Sequence, residues 1–367
     1  MTIAKKKILI ISMTAGFGHL KAGEALLDYA KENLPDVDAE HIDVSDINPF
    51  FKNVTLKIYD MMSKKLPFLW GLLYSVTDFQ PVSLMTKKLA SIGWFFDGKI
   101  SNYIYQKNPD AIIFTNIVVL PILAKVLDKK LVNIKIGVVV TDYHGHAYYN
   151  FSRIDYYFVG NAGVGKDLEN AGVAKEKIIV TGVPINSRFY IKENIHDVKL
   201  KYGIDSDFPV VLFIASFKIS KHKLVAIIGQ LLALKPKITV VCIANGNQEF
   251  YDIIQSSFLA RQNLLLVKWT DAMEEYMKIS DVVITKAGGL TVSECLTLKK
   301  TMIIINPIPG QEEHNAEFVE KNNLGIRVKK IDQIIRVLPK MISFSKQNQM
   351  ALLPQENPCK KIFQYLL

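Results

Sequence analysis

Residues 282–316, VVITKAGGLTVSECLTLKKTMIIINPIPGQEEHNA, place strand, glycine turn, helix, strand and polar loop in immediate succession. Val282 to Thr285 form a short β-branched run, Gly288 and Gly289 permit a turn with close backbone approach, and Thr291 opens a helix. The unpaired N–H groups at such a helix start face the turn and favour an anion. After the second strand, 301–306, a proline-glycine loop delivers Gln311, Glu312 and Asn315, whose donors and acceptors suit the hydroxyls of a sugar or ribose. The two segments would meet at the carboxyl ends of neighbouring strands, where open α/β sheets bind ligands. Plainer readings stand beside this one. Thr291 and Glu294 have the spacing of a capping box, and Gln311-Glu312-Glu313 has the acidity of a first helical turn.

The rest of the chain repeats the pattern. A strand at 7–12 leads into Thr14-Ala15-Gly16-Phe17-Gly18-His19 and a helix over about 20–33. Gly16 and Gly18 begin a dinucleotide fingerprint, but Lys21 stands where its third glycine belongs, which argues against a nicotinamide cofactor. Asp36-Val37-Asp38 is spelled like a metal-binding pair, yet it follows Pro35 and reads as a solvated turn before a strand. Short apolar runs at 111–115, 136–141, 156–159 and 177–181 complete a first doubly wound parallel sheet. A second set lies at 210–215, 238–244, 264–268, 282–285, 302–306 and 326–328. The expected domains are 1–190 and 191–345, both Rossmann-like, with a tail over 346–367 that can pack back on the body.

Residues 49–100 interrupt the alternation with aromatic, leucine-rich and lysine-bearing helical patterns. Two cations, Lys64 and Lys65, precede an apolar stretch containing Phe68, Trp70 and Leu72, and Lys87 and Lys88 flank a second apolar stripe. Core packing is the default for such stripes. An interfacial membrane helix requires the same association, and the net charge of +10 favours an anionic partner. These segments therefore predict contact with an anionic membrane surface. No run reaches transmembrane length, so the expected location is cytoplasmic and peripheral at the inner face of the cell membrane. Cys242, Cys295 and Cys359 are widely spaced and read as reduced, buried thiols. The scattered lysines contain no groove-reading motif, which argues against nucleic acid.

Taken together, TAGFGH near the start, GVP at mid-chain, KAGGLTVSE and PGQEEHNA resemble the two-domain glycosyltransferases that include the diacylglycerol glycosyltransferases and the transferase that makes lipid II. The likeness is greatest to processive diacylglycerol glucosyltransferases and plant monogalactosyldiacylglycerol synthases. It implies a GT-B type α/β fold of two facing Rossmann-like domains with the active site in their cleft. It also implies inverting transfer of a hexose from UDP-glucose or UDP-galactose to diacylglycerol or a glycosyl-diacylglycerol, with no metal or other cofactor.

Such a displacement needs a base beside the acceptor hydroxyl and positive potential around the departing diphosphate. His19, beyond a glycine turn at a strand end, matches the family's glycine-glycine-histidine loop, with Gly16 and Gly18 shaping the acceptor loop. Gly288, Gly289 and Thr291 match its diphosphate turn, Glu294 its ribose position, and Gln311, Glu312 and Asn315 its sugar-reading loop. Lys286 adds a cation before the turn, and Asp142 is placed to orient His19 or bind acceptor. The chain departs from the pattern at Ile214-Ala215-Ser216-Phe217-Lys218, where relatives carry glycines, and Lys218, Lys221 and Lys223 offer side-chain cations instead. A weakened lipid- and nucleotide-binding regulator or a UDP-sugar isomerase of the same fold are the alternatives.

Overall fold

The structure is a computed structural model that describes residues 5–14, 17–47, 57, 61, 66–90, 97–116, 119–120, 134–204, 207–215, 219–235, 237–259, 261–347 and 356–367. Gly16, Lys64 and Lys65 lie outside these residues, as do Ser216, Phe217 and Lys218 of the glycine-free loop and the side chain of Lys88. The chain divides into two compact units: Met1–Ser187 with Pro309–His314 and Pro354–Leu367, and Arg188–Ile308 with Asn315–Leu353.

In the first unit, β1 (Lys6–Ser12), β2 (Val37–Asp43), β3 (Ala111–Phe114), β4 (Lys135–Val139), β5 (Tyr156–Val159) and β6 (Ile178–Val180) form a parallel sheet in the order β2-β1-β3-β4-β5-β6. Ile8, Leu9, Ile10 and Ile11 are all buried, because helices cover both faces of the sheet. Their alternating side chains enter two separate cores, Leu9 and Ile11 in one and Ile8 and Ile10 in the other. β2 is an edge strand, VDAEHID, with no fully buried residue. Val37 and Asp38, expected as a turn, open this strand opposite Lys6 and Lys7. Helix α1 (Phe17–Asn33) joins β1 to β2. It starts earlier than the sequence suggested, so Gly18 and His19 stand in its first turn.

The region between β2 and β3 includes α2 (Pro67–Asp78), α3 (Gln80–Ala90) and α4 (Asp97–Lys107). Helix α2 presents Phe68, Leu69, Leu72, Leu73 and Val76 to solvent, Phe68 at 83% exposure, and Phe79, Leu84 and Met85 extend this apolar surface onto α3. Two expected surface residues are placed otherwise. Trp70 is only half-exposed, on a different side of α2 from Phe68 and Leu72. Lys87 is buried: its ammonium donates to the carbonyls of Ala147 (3.1 Å) and Asn150 (2.9 Å) and lies over the Phe151 and Tyr148 rings. Burial lowers its pKa to about 8, so this lysine ties α3 to the chain after β4 and is not a surface cation. Among the described residues no helix is long and apolar enough to cross a membrane.

After β5 comes α5 (Ala162–Asn170), started by the Asn161 side chain, which accepts from the amides of Gly163 and Val164. The second unit contains α6 (Ile195–Lys201), β7 (Val210–Ile214), α7 (Lys221–Leu232), β8 (Thr239–Ile243), α8 (Gln248–Ser257), β9 (Leu264–Val267), α9 (Met273–Ile279), β10 (Val282–Thr285), α10 (Gly289–Thr297), β11 (Thr301–Ile305), α11 (Gln311–Lys321, whose first residues group with the first unit), β12 (Gly325–Val328) and α12 (Ile331–Gln347). Its parallel sheet runs β12-β11-β10-β7-β8-β9. The last helix, α13 (Pro358–Leu366), packs on α1, where Phe363 stacks on Tyr29 with centroids 6.0 Å apart and Cys359 and Ile362 are buried beside Ala25 and Leu26. All three cysteines are buried and unbridged.

Both strand orders reverse direction once, between β1 and β3 in the first unit and between β7 and β10 in the second. The crevice at such a reversal opens at the carboxyl ends of the strands, and it is the general ligand position of doubly wound sheets. His19 follows β1 and the Gly288-Gly289 turn follows β10, so each candidate segment stands at the reversal of its own sheet.

Candidate active site

In the first unit, the carboxyl ends of β1, β3 and β4 converge on His19. Its Nδ1 lies 2.6 Å from the Thr115 carbonyl oxygen and 3.2 Å from Thr141 Oγ1. A carbonyl only accepts, so Nδ1 carries the proton and a neutral ring keeps its lone pair on Nε2. Burial lowers the pKa of His19, against the opposing effects of the Asp142 carboxylate and the Thr115 bond. The neutral, accepting form therefore prevails near neutrality. Below the ring, Ser12 Oγ stands 2.7 Å from both His41 Nε2 and Thr115 Oγ1 and donates to the His19 carbonyl (3.2 Å), fixing the helix start to the strand end. Gly23 is required by this network, since a Cβ there would lie 2.3 Å from His41 Nε2 and 2.6 Å from Ser12 Oγ.

Asp142 is 8% exposed and follows β4. It acts on His19 through its charge, which favours an imidazolium, while its Oδ2 accepts from Gln311 Nε2 at 2.7 Å. Gln311 belongs to the Pro309–His314 segment of the first unit. The expected sugar-reading loop is thus the first turn of α11, with Glu312 and Glu313 as its acids. Glu312 is buried.

In the second unit, α10 begins at Gly289 with Gly288 as N-cap and no side-chain cap. Thr291 is already inside the helix, so the Thr291–Glu294 capping box does not form. The amides of the first turn have no intrahelical partner, which puts the positive end of the helix at the turn. Lys286 reaches the same place: a Cβ on Gly288 would lie 3.9 Å from its Nζ and 3.8 Å from Thr291 Oγ1. Glu294 is half-buried, one turn along α10. Asn315 takes a supporting position instead of a ligand-facing one. It is fully buried, and its Nδ2 donates to the Ala287 carbonyl (3.0 Å), pinning the turn to α11.

Other residues at these edges carry no sequence motif. Thr115 and Thr141 set the His19 tautomer, and only the pairing of strands distant in sequence reveals them. Trp269, 50% exposed just after β9, offers a flat apolar face beside Gly246, whose positive φ of 78° suits glycine. An exposed tryptophan at a strand end is the signal that would have found it.

Two six-stranded parallel sheets, each flanked by helices and each with its candidate residues at the sheet reversal, define the GT-B type of α/β protein. Solved structures agree on the fold. MnaA of S. aureus, solved with UDP, has a TM-score of 0.60 at 14% identity, over 99% of this chain and 98% of that one. MurG of Acinetobacter baumannii has a TM-score of 0.58 at 13% identity, over 98% and 99%. UDP-GlcNAc 2-epimerase from Neisseria meningitidis, bound to UDP-GlcNAc, has a TM-score of 0.62 at 14% identity, over 98% and 99%. Sequence comparison narrows the class. Residues 19–185 match the family model of monogalactosyldiacylglycerol synthase, and residues 221–365 match that of the glycosyltransferase family 28 C-terminal domain. Relatives named processive diacylglycerol beta-glucosyltransferase occur in Staphylococcus carnosus, 28% identical over 93% of this chain and 86% of the relative, and in Staphylococcus aureus, 26% identical over 97% and 90%. The chain resembles the diacylglycerol glycosyltransferases along most of its length, as its motifs imply.

Proposed function

We propose that this protein transfers a hexose, with inversion, from UDP-glucose or UDP-galactose to diacylglycerol or a glycosyl-diacylglycerol at an anionic membrane surface. The observation that carries the reading is the tautomer of His19, whose Nδ1–H is committed to Thr115 and whose Nε2 is left to accept a proton. In this reading Nε2 takes the proton of the lipid hydroxyl as its oxygen bonds to the anomeric carbon, and the bond from that carbon to the diphosphate breaks. Asp142 stabilises the resulting imidazolium. The departing UDP carries its charge to the first-turn amides of α10 and to Lys286, and the transfer uses no metal. Glu294 holds the ribose, Gln311 and Glu312 read the hexose, and Trp269 offers its face to the base. The names of the staphylococcal relatives support the lipid acceptor, and the UDP in the MnaA structure supports a nucleotide ligand for this fold.

The membrane reading rests on the apolar surface of α2 and α3, where Phe68, Leu69, Leu72, Leu73, Val76, Phe79, Leu84 and Met85 are exposed. A helix with this outward face is stable against an acyl boundary. The site is tested by His19→Ala, which is expected to lose transfer by roughly a hundredfold or more while UDP binding, measured by calorimetry, survives. Nearly full turnover in that variant would show the base to be another group.

A further inference from the structure

The first unit contains a cluster that this mechanism does not use. His144, on the chain after β4, is held at both ring nitrogens: Nε2 lies 2.8 Å from Asp78 Oδ2 of α2, and Nδ1 lies 3.2 Å from Asp167 Oδ2 of α5. The carboxylates are themselves fixed, since Asp78 Oδ1 accepts from the Ala147 amide (2.7 Å) and Asp167 Oδ2 from the Gly145 amide (3.1 Å). An imidazole with an acceptor at each nitrogen has one orientation and one charge state, the imidazolium. Its face lies against the ring of His314, with centroids 4.1 Å apart and planes 20° apart.

The Pro309–His314 segment is gripped elsewhere by α2. A Cβ at Gly71 would lie 2.7 Å from Pro309 Cβ, and one at Gly310, whose φ is +83°, would lie 2.8–3.1 Å from Tyr74. Tyr74 in turn packs edge-on against His146, with centroids 4.6 Å apart. His146 donates from Nε2 to the Tyr74 carbonyl (3.0 Å) and accepts at Nδ1 from the Tyr148 amide (3.0 Å). The segment is thus seated at three points, and Gln311, between them, reaches Asp142.

We propose that His144 is a positioning residue: stacked on His314, it sets the place of Pro309–His314 and so of the Gln311 side chain that reads the donor hexose. This rests on the donor-binding reading of Gln311. A cation over a flat ring fixes the ring's plane, and a displaced reading group costs affinity for the sugar, not for the nucleotide.

The test is steady-state transfer from UDP-hexose to diacylglycerol in vesicles by the full chain and by His144→Gln, His314→Ala and His314→Phe, with folding checked by thermal melting. His144→Gln and His314→Ala should raise the donor KM roughly tenfold with kcat and acceptor KM nearly unchanged, and the double variant should be no worse than either alone. His314→Phe, which keeps a ring under the cation, should restore the donor KM to within about twofold. UDP affinity should be unchanged throughout, because UDP lacks the hexose. An unchanged donor KM in folded, active variants would overturn the assignment and leave the functional reading intact, as would a parallel loss of UDP affinity. Failure of the unaltered protein to make glycolipid from either donor would overturn the functional reading and this assignment with it.

Discussion

Deprotonating His144 should weaken the first unit in a defined pH window. Burial alone would lower its pKa, but hydrogen bonds and charge from Asp167 and Asp78 outweigh burial and raise it to about 9. A folded-state pKa above the ordinary value of about 6.5 means that the stabilisation is complete below about pH 6.5, declines as pH rises, and is gone above about pH 9. The difference between about 9 and about 6.5 corresponds to about 3.4 kcal/mol at most. The side chain is 20% exposed, and screening reduces the effect to about 2 kcal/mol. The lowered pKa values of Asp78 and Asp167 report the same contacts and add nothing further. Urea unfolding of the protein and of His144→Gln, from about pH 6 to about pH 10, isolates this contribution, because every other titrating group cancels in the difference. The stability gap should shrink by about 2 kcal/mol across that range, with most of the change on the alkaline side. A gap that stays constant, or that widens with pH, would show that His144 is not charged in the folded state.

Three further outcomes follow from the geometry. Gly23→Ala should destabilise the protein by about 1–3 kcal/mol, measured by urea titration, because the new methyl would overlap His41 and Ser12; an unchanged midpoint would mean that α1 shifts freely. Phe68→Ser with Leu72→Ser should weaken binding to anionic phospholipid vesicles by about 2 kcal/mol with no loss of stability, since both side chains are already exposed; a lower melting temperature with unchanged vesicle binding would place them in packing instead. Chelation with EDTA should leave transfer unchanged, and a loss restored by added divalent cation would contradict the metal-free displacement.

Much of this fold is legible in the sequence because parallel strands covered on both faces must be continuously apolar. AIIF, VVLFI, VVIT and TMIII can hardly be read otherwise. The edge strand VDAEHID lacks that signature, since it pairs on one side only and stays half-exposed, and its first residues pass for a turn. Local chemistry located the His19 and Gly288-Gly289 turns but misjudged where the helices start, because Gly288 caps α10 without a side chain and Thr291 needs no capping role. Charge on a helical stripe also misled. Lys87 looks like a headgroup ligand beside apolar residues, yet two carbonyls and two aromatic faces of the chain after β4 claim it. Asn315 in the motif PGQEEHNA reads as a sugar ligand, but burial gives it to the Ala287 carbonyl. The His144 cluster was out of reach for a simpler reason. Asp78, His144, Asp167 and His314 come from four separated stretches, and only tertiary structure brings them together.

His19 and the α10 turn are proposed to serve one transfer of hexose to lipid. Incubating the purified protein with diacylglycerol vesicles and radiolabelled UDP-glucose or UDP-galactose, in parallel, tests it most directly. Labelled glycolipid is expected from at least one donor, and His19→Ala is expected to abolish it. UDP-sugar that binds without yielding a labelled lipid, or that is converted to another UDP-sugar with no lipid required, would contradict the proposed transfer.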